Sequence, residues 1–178
     1  MAAPPVQNRT SIYGKRFGIA DKGGLVFNHL NGAQTLLGTF KATTVTSAQL
    51  LALNATPQTV VPALGAGFAI IPLRVAISKP AGTAYAGIAS GEDLVLKYTN
   101  GSGAQCSSVI ETTGFLDQTT AQTRMAGMPG SVTTTAGDYA PVANADVVLH
   151  LLSGEITTGD SPLYVRVWYD IIAVPFTV

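Results

Sequence analysis

The stretch Leu163-Tyr164-Val165-Arg166-Val167-Trp168-Tyr169-Asp170-Ile171-Ile172 decides the fold class. Successive side chains of an extended strand point to opposite faces. Leu163, Val165, Val167, Tyr169 and Ile171 therefore form one uniformly apolar face, and Tyr164, Arg166, Trp168, Asp170 and Ile172 form a mixed one. A helix with its 3.6-residue period would scatter both sets. The reading is a β-strand over 162–175 whose apolar side meets a core and whose mixed side suits an interface with another protein.

The same grammar recurs upstream. In Leu94-Val95-Leu96-Lys97-Tyr98, Leu94, Leu96 and Tyr98 share a face. Phe68 to Ile77 is a nearly continuous apolar run, as in a strand covered on both sides. Pro72 within it lacks an N–H to donate to a ladder and implies a bulge or an edge position. Further runs rich in Val, Ile, Thr and Leu, bounded by Gly, Pro, Asn and Asp, place strands near 24–30, 35–45, 58–63, 92–100, 105–114, 130–136 and 145–153. Two short helical patches interrupt them, one after the N-cap candidate Thr46 and one over Asp117–Met125. The expected fold is all-β: a single β-sandwich or jelly-roll-like domain over 24–178, with one or two short helices. Residues 1–23 carry Pro4-Pro5 and isolated aromatics with neither period, and read as an extended N-terminal arm.

Composition narrows the function. A chain of 178 residues buries roughly 70% of its unfolded surface and folds without disulfides or metals. Only 11% of the residues are charged and 47% are apolar, against about 25% charged in an ordinary soluble domain. Ten basic and ten acidic side chains cancel, which removes the self-repulsion that keeps molecules apart. Association with protein surfaces is the expectation. No basic run exists, so direct nucleic-acid binding is not expected. No apolar stretch reaches the ~20 residues of a membrane helix, and the first residues lack a signal-peptide core, so neither a membrane nor secretion is expected. A single cysteine, Cys106, fits a reducing cytoplasm as the place of synthesis. The Asn-x-Ser/Thr matches at Asn8, Asn54 and Asn100 then read as turn or loop residues.

Catalytic and metal sites find little support. Gly159-Asp160-Ser161-Pro162 resembles the nucleophile motif of one class of serine esterases, but no His follows Ser161 to serve as base. It reads as a polar turn before the last strand. His29 and His150 have no His, Cys, Asp or Glu near them at ligand spacing. Cys106 has no base beside it and reads as a half-buried strand residue. Glu92 and Asp93 are adjacent on a strand start and point apart, so they form no convergent pair. Gly65-Ala66-Gly67 and Gly101-Ser102-Gly103 open no helix that could bind phosphate and read as turns. No catalytic residue, metal or cofactor is assigned.

Five segments, in one order, carry a family likeness: Val45-Thr-Ser-Ala-Gln-Leu-Leu-Ala-Leu-Asn54, Gly82-Thr-Ala-Tyr-Ala-Gly87, Asp93-Leu-Val-Leu-Lys-Tyr98, Phe115-Leu-Asp-Gln118 and Gly154 to Tyr169. Together they resemble small structural proteins of tailed bacteriophages, among them head decoration or cement subunits. The resemblance implies a jelly-roll-like body on the outer capsid surface of a virion, with the major capsid protein as partner. It also implies a homo-oligomer, a trimer in preference to a dimer. The interface residues expected from arm and last strand are Ile12, Tyr13, Arg16, Phe17, Ile19, Tyr164, Arg166 and Trp168. The competing expectation is a tail, baseplate or host-receptor-binding component, in which Trp168 or Tyr164 stacks on a glycan.

Overall fold

The computed structural model describes residues 25–28, 34–37, 39–88, 91–128 and 141–174. Its contacts divide the chain into two units, Met1–Phe40 and Lys41–Val178. In the first, β1 (Leu25–Asn28) and β2 (Gln34–Leu37) pair antiparallel as a two-stranded sheet. The expected arm, 1–23, and the expected strand at 130–136 lie outside the described residues.

The second unit is a sandwich of two antiparallel sheets. One has the order β3-β9-β5-β7, from β3 (Phe40–Val45), β9 (Leu163–Ala173), β5 (Phe68–Lys79) and β7 (Gln122–Gly127). The other has the order β4-β8-β6, from β4 (Gln58–Val61), β8 (Val147–Leu151) and β6 (Leu94–Tyr98). From β3 to β9 the chain changes sheet at every connection. A three-strand sheet completed on its open side by one more strand is the strand order of a jelly roll. Residues 104–110 occupy that side: Cys106 N–H donates to Leu96 O (2.8 Å), Ile110 N–H to Leu94 O (2.8 Å), and Tyr98 N–H to Ala104 O (3.0 Å). The all-β, jelly-roll-like expectation holds.

Three local expectations are corrected. The strand expected at 105–114 forms only isolated bridges, at Leu94–Ile110 and Lys97–Gln105. The cause is Ser107, whose hydroxyl takes the Leu96 N–H (2.8 Å) in addition to the Cys106 contact and breaks the regular spacing of a ladder. The helix expected over Asp117–Met125 does not form: turns and bends run to Thr120 and β7 begins at Gln122, because pairing with β5 from Arg74–Gly127 to Lys79–Gln122 outweighs the helix preference of Gln, Arg, Met and Ala. The single run 35–45 is split between β2 and β3. The helix at Thr46 does form: α1 (Ser47–Leu51) is closed by a capping box, in which Thr46 Oγ1 accepts from Gln49 N–H and Gln49 Oε1 accepts from Thr46 N–H.

The apolar faces meet between the sheets. Leu94, Leu96 and Tyr98 from β6, Val147, Leu149 and Leu151 from β8, and Leu163, Val165, Val167 and Tyr169 from β9 are all buried in one cluster. Leu50 and Leu53 close it at the α1 end and Phe115 and Leu116 join it from the loop before β7. Tyr98 reaches through this layer and donates its hydroxyl to Ile70 O at 2.6 Å, which ties the sheets together without leaving a buried polar group unpaired.

The β5–β9 ladder runs from Phe68–Ala173 to Ser78–Tyr164 with one interruption between Pro72 and Arg74. This is the bulge that Pro72 announced. It has a consequence for every later side chain. Before it, Ile70 and Pro72 are buried; after it, Val75, Ile77 and Lys79 are. One extra residue, Leu73, thus reverses the inward parity and turns Arg74 outward. A regular strand that kept Leu73 without the bulge would drive Arg74 into the core and expel Val75 and Ile77. Deleting Leu73 leaves Pro72, Val75 and Ile77 inward and Arg74 outward in regular alternation, so we expect the deletion variant to fold, and Leu73→Ala, at an exposed position, to change stability by less than about 1 kcal/mol, as read by urea denaturation followed by far-UV circular dichroism.

Candidate functional site

The outer face of the four-stranded sheet is where the fold gathers interface-forming side chains. β9 supplies Tyr164 and Arg166, both exposed, and half-buried Trp168. From β5, across the register, come Ser78 opposite Tyr164, Ala76 opposite Arg166 and Arg74 opposite Trp168. β7 adds Thr123 opposite Ser78 and Met125 opposite Ala76. Directly opposed residues share a face, so one alternation rule places all of them on the same side.

Geometry within this face is specific. The Arg74 guanidinium stacks over the Trp168 ring at 4.1 Å from its centroid, and Arg166 approaches the same ring at 5.7 Å. Such cation–π contacts are strongest where desolvation is greatest. The Ser78 and Thr123 hydroxyls are 3.0 Å apart in a hydrogen bond. Small residues, Ala42 and Thr44 on β3 with Ala76 and Ser78 on β5, leave a depression of about 330 Å³ beside Tyr164, Arg166 and Trp168. Around it, Tyr164 is 52% exposed and Met125 is 63% exposed, unusual for side chains that gain so much from burial.

The structure thus brings Tyr164, Arg166 and Trp168 together on one surface. The other expected interface residues, Ile12, Tyr13, Arg16, Phe17 and Ile19, lie outside the described residues. Sequence reasoning missed Arg74 and Met125. Arg74 could have been found by carrying the Pro72 bulge through the strand and recounting its faces. Met125 was hidden by the helical reading of its segment.

The residues considered for chemistry fall elsewhere. Asp160 accepts from Thr83 N–H (2.8 Å) and Thr83 Oγ1 (2.9 Å), and Tyr85 donates its hydroxyl to Ser161 O. Gly159 has φ +86° and no room for a Cβ, which would lie 2.3 Å from the Tyr85 ring. The Gly-Asp-Ser turn is therefore a clamp between the loop after β5 and the start of β9. Burial, reinforced by the Asp160 charge, raises the Tyr85 phenol to about 12. Cys106 is fully buried rather than half-buried, and burial pushes its thiol up to about 12, which keeps it from the thiolate form that reacts. Asp93 is held above the ordinary carboxylate value, first by burial, against a hydrogen bond from Thr112 N–H, and then by Glu111 and Glu92. Its closest carboxylate relation is to Glu111 in the following loop, which strand alternation alone does not reveal. Among the described residues no group of three His, Cys, Asp or Glu side chains is placed to hold a metal. His29 lies outside the described residues. No helix among them is long and apolar enough to cross a membrane.

Compared with protein-family models, with curated proteins and with solved structures, the chain matches none. The side chains of this face therefore carry the functional argument. Trp168 is the only tryptophan, so its emission reports on this face alone. Arg74→Ala should shift that emission to longer wavelength by opening the ring to water, while stability falls by no more than about 1 kcal/mol.

Proposed function

We propose that this protein is a structural subunit of a virion, a head decoration or cement protein that binds the outer capsid surface and stabilises the shell. The observation that carries the reading is the outer sheet face, where Tyr164, Arg166, Trp168, Arg74 and Met125 stand together on a rigid four-stranded sheet. Tyr, Trp, Arg and Met are the residue types enriched at the centres of protein interfaces, and a few of them supply most of an interface's energy. They project from strands rather than loops, so little conformational entropy is lost when they dock.

The rest of the molecule supports the same role. Low charge and zero net charge remove the long-range repulsion that would oppose dense packing on a shell. Many copies on one particle would turn modest contacts into stable coverage. In this reading the partners are the major capsid protein and further copies of the chain in a trimer or dimer. The arm, residues 1–23, adds contacts to a neighbour by pairing with an open sheet edge. The subunit is made in the host cytoplasm and ends on the capsid exterior, and it needs neither cofactor nor catalytic residue.

One observation favours a second reading, a tail or host-receptor-binding component. The depression beside Tyr164 is lined by Thr44 and Ser78 as well as by Tyr164 and Trp168, a mixture that accommodates a sugar ring. The decisive experiment adds purified protein to capsid shells that lack it, with tails and a glycan array in parallel. Shell binding that is lost in Trp168→Ala and Tyr164→Ser, both still folded, supports decoration. Binding only to tails or glycans would transfer the role to host attachment. Deleting residues 1–23 should weaken shell binding, and unchanged affinity would remove the arm from the interface.

A further inference from the structure

Among the described residues, one buried side-chain atom has no hydrogen-bond partner: Nδ1 of His150. His150 lies on β8, on the outer face of the three-stranded sheet, away from the core between the sheets. It stands opposite Val95 of β6, and Val148, two residues earlier, shares its face. All three side chains are buried.

The cover over the imidazole is the turn 99–104. Gly101 sits so close that a Cβ there would lie 2.6 Å from His150 Nε2 and 2.9 Å from its Cδ2. Only glycine lets the backbone lie against the ring in this way. The turn is closed on itself by Gly103 N–H to Asn100 O (3.0 Å) and by Ser102 N–H to Asn100 Oδ1 (2.9 Å). It is held to the sheet by Lys97 of β6, whose Nζ donates to Gly101 O at 2.6 Å. A neutral imidazole and an ammonium group therefore support the same turn from below.

The elements packed around the ring contain no anion that faces it. β6 contributes Lys97. β4 contributes the neutral Gln58 and Thr59, the loop before it contributes Asn54, and the turn itself carries no charged residue. Asp146, at the foot of β8, is occupied by Thr59 Oγ1 (3.1 Å) and Ala63 N–H (2.7 Å). A proton on the ring would therefore place a second positive charge in a buried site beside Lys97, with the Asn54 backbone as the one opposing contribution.

We propose that the turn 99–104 is an acid-released latch: it is closed over neutral His150 and opens when the imidazole takes up a proton. Opening exposes the ring to water, relieves its repulsion with Lys97, and admits solvent to Val95 and Val148 beside it. The direction of the titration agrees. Burial, and then the Lys97 charge, hold His150 below its ordinary value of 6.5, with the Asn54 backbone partly opposing. The folded, closed form thus binds a proton less readily than the open one. Its stabilisation is complete above about pH 6.5 and is lost as pH falls through the lowered value.

The chain has two histidines, so long-range 1H–15N NMR of the intact protein resolves both, and His29→Gln assigns them. His150 should titrate below 6.5, and the Ser102 and Gly103 amides should lose hydrogen-exchange protection with the same midpoint, by about tenfold or more between about pH 7.5 and 4.5. In His150→Gln that loss should vanish, and in Lys97→Met the midpoint should rise. Amides that stay protected while His150 titrates would overturn the latch, as would an unchanged loss of protection in His150→Gln. If that variant does not fold, the coincidence of the two midpoints in the unaltered chain decides the matter.

Discussion

One backbone irregularity governs how this sandwich presents itself. The β5–β9 pairing is the longest among the described residues, and its bulge at Leu73 switches which of the β5 side chains face the core. Because side-chain direction in a strand has a period of two, a single inserted residue changes every position beyond it. Val75 and Ile77 complete the apolar layer for that reason, and Arg74 meets Trp168 on the outside for the same reason. The core and the candidate interface are thus two results of one local feature.

Polar groups inside the molecule are used to join segments that apolar contact would leave loosely placed. Tyr98 links the sheets through Ile70 O, and Tyr85 joins the start of β9 through Ser161 O. Buried Lys79 donates to the carbonyls of Gln118 and Pro80 at the end of β5. Each uses a backbone acceptor that would otherwise be costly to bury. The Gly-Asp-Ser turn belongs to this set, since its carboxylate and carbonyl both serve as acceptors for neighbouring loops. His150 is the exception, a polar ring buried without full satisfaction, which is the condition a switch requires.

The two outer faces of the sandwich differ accordingly. That of the four-stranded sheet displays Tyr164, Met125 and the Arg74–Trp168 stack. That of the three-stranded sheet buries Val95, Val148 and His150, with a turn held over the ring by a lysine.

The sequence by itself determined that the chain is all-β, since the alternation in Leu163–Ile172 and Leu94–Tyr98 admits no helix. It also determined that Tyr164, Arg166 and Trp168 share a face and that Pro72 marks an irregular position. These are local properties, set by the pleat and by the missing proline N–H. Only the tertiary structure decided that 122–127 is a strand, because its pairing energy comes from β5, some 50 residues away in the chain. It alone decided that 104–110 is not one, because the Ser107 hydroxyl takes a ladder donor there. It also decided that Arg74 joins Trp168 and that Gly101 covers His150. Those contacts depend on register between distant segments, and register is fixed when faces are buried together, which no single stretch of sequence contains.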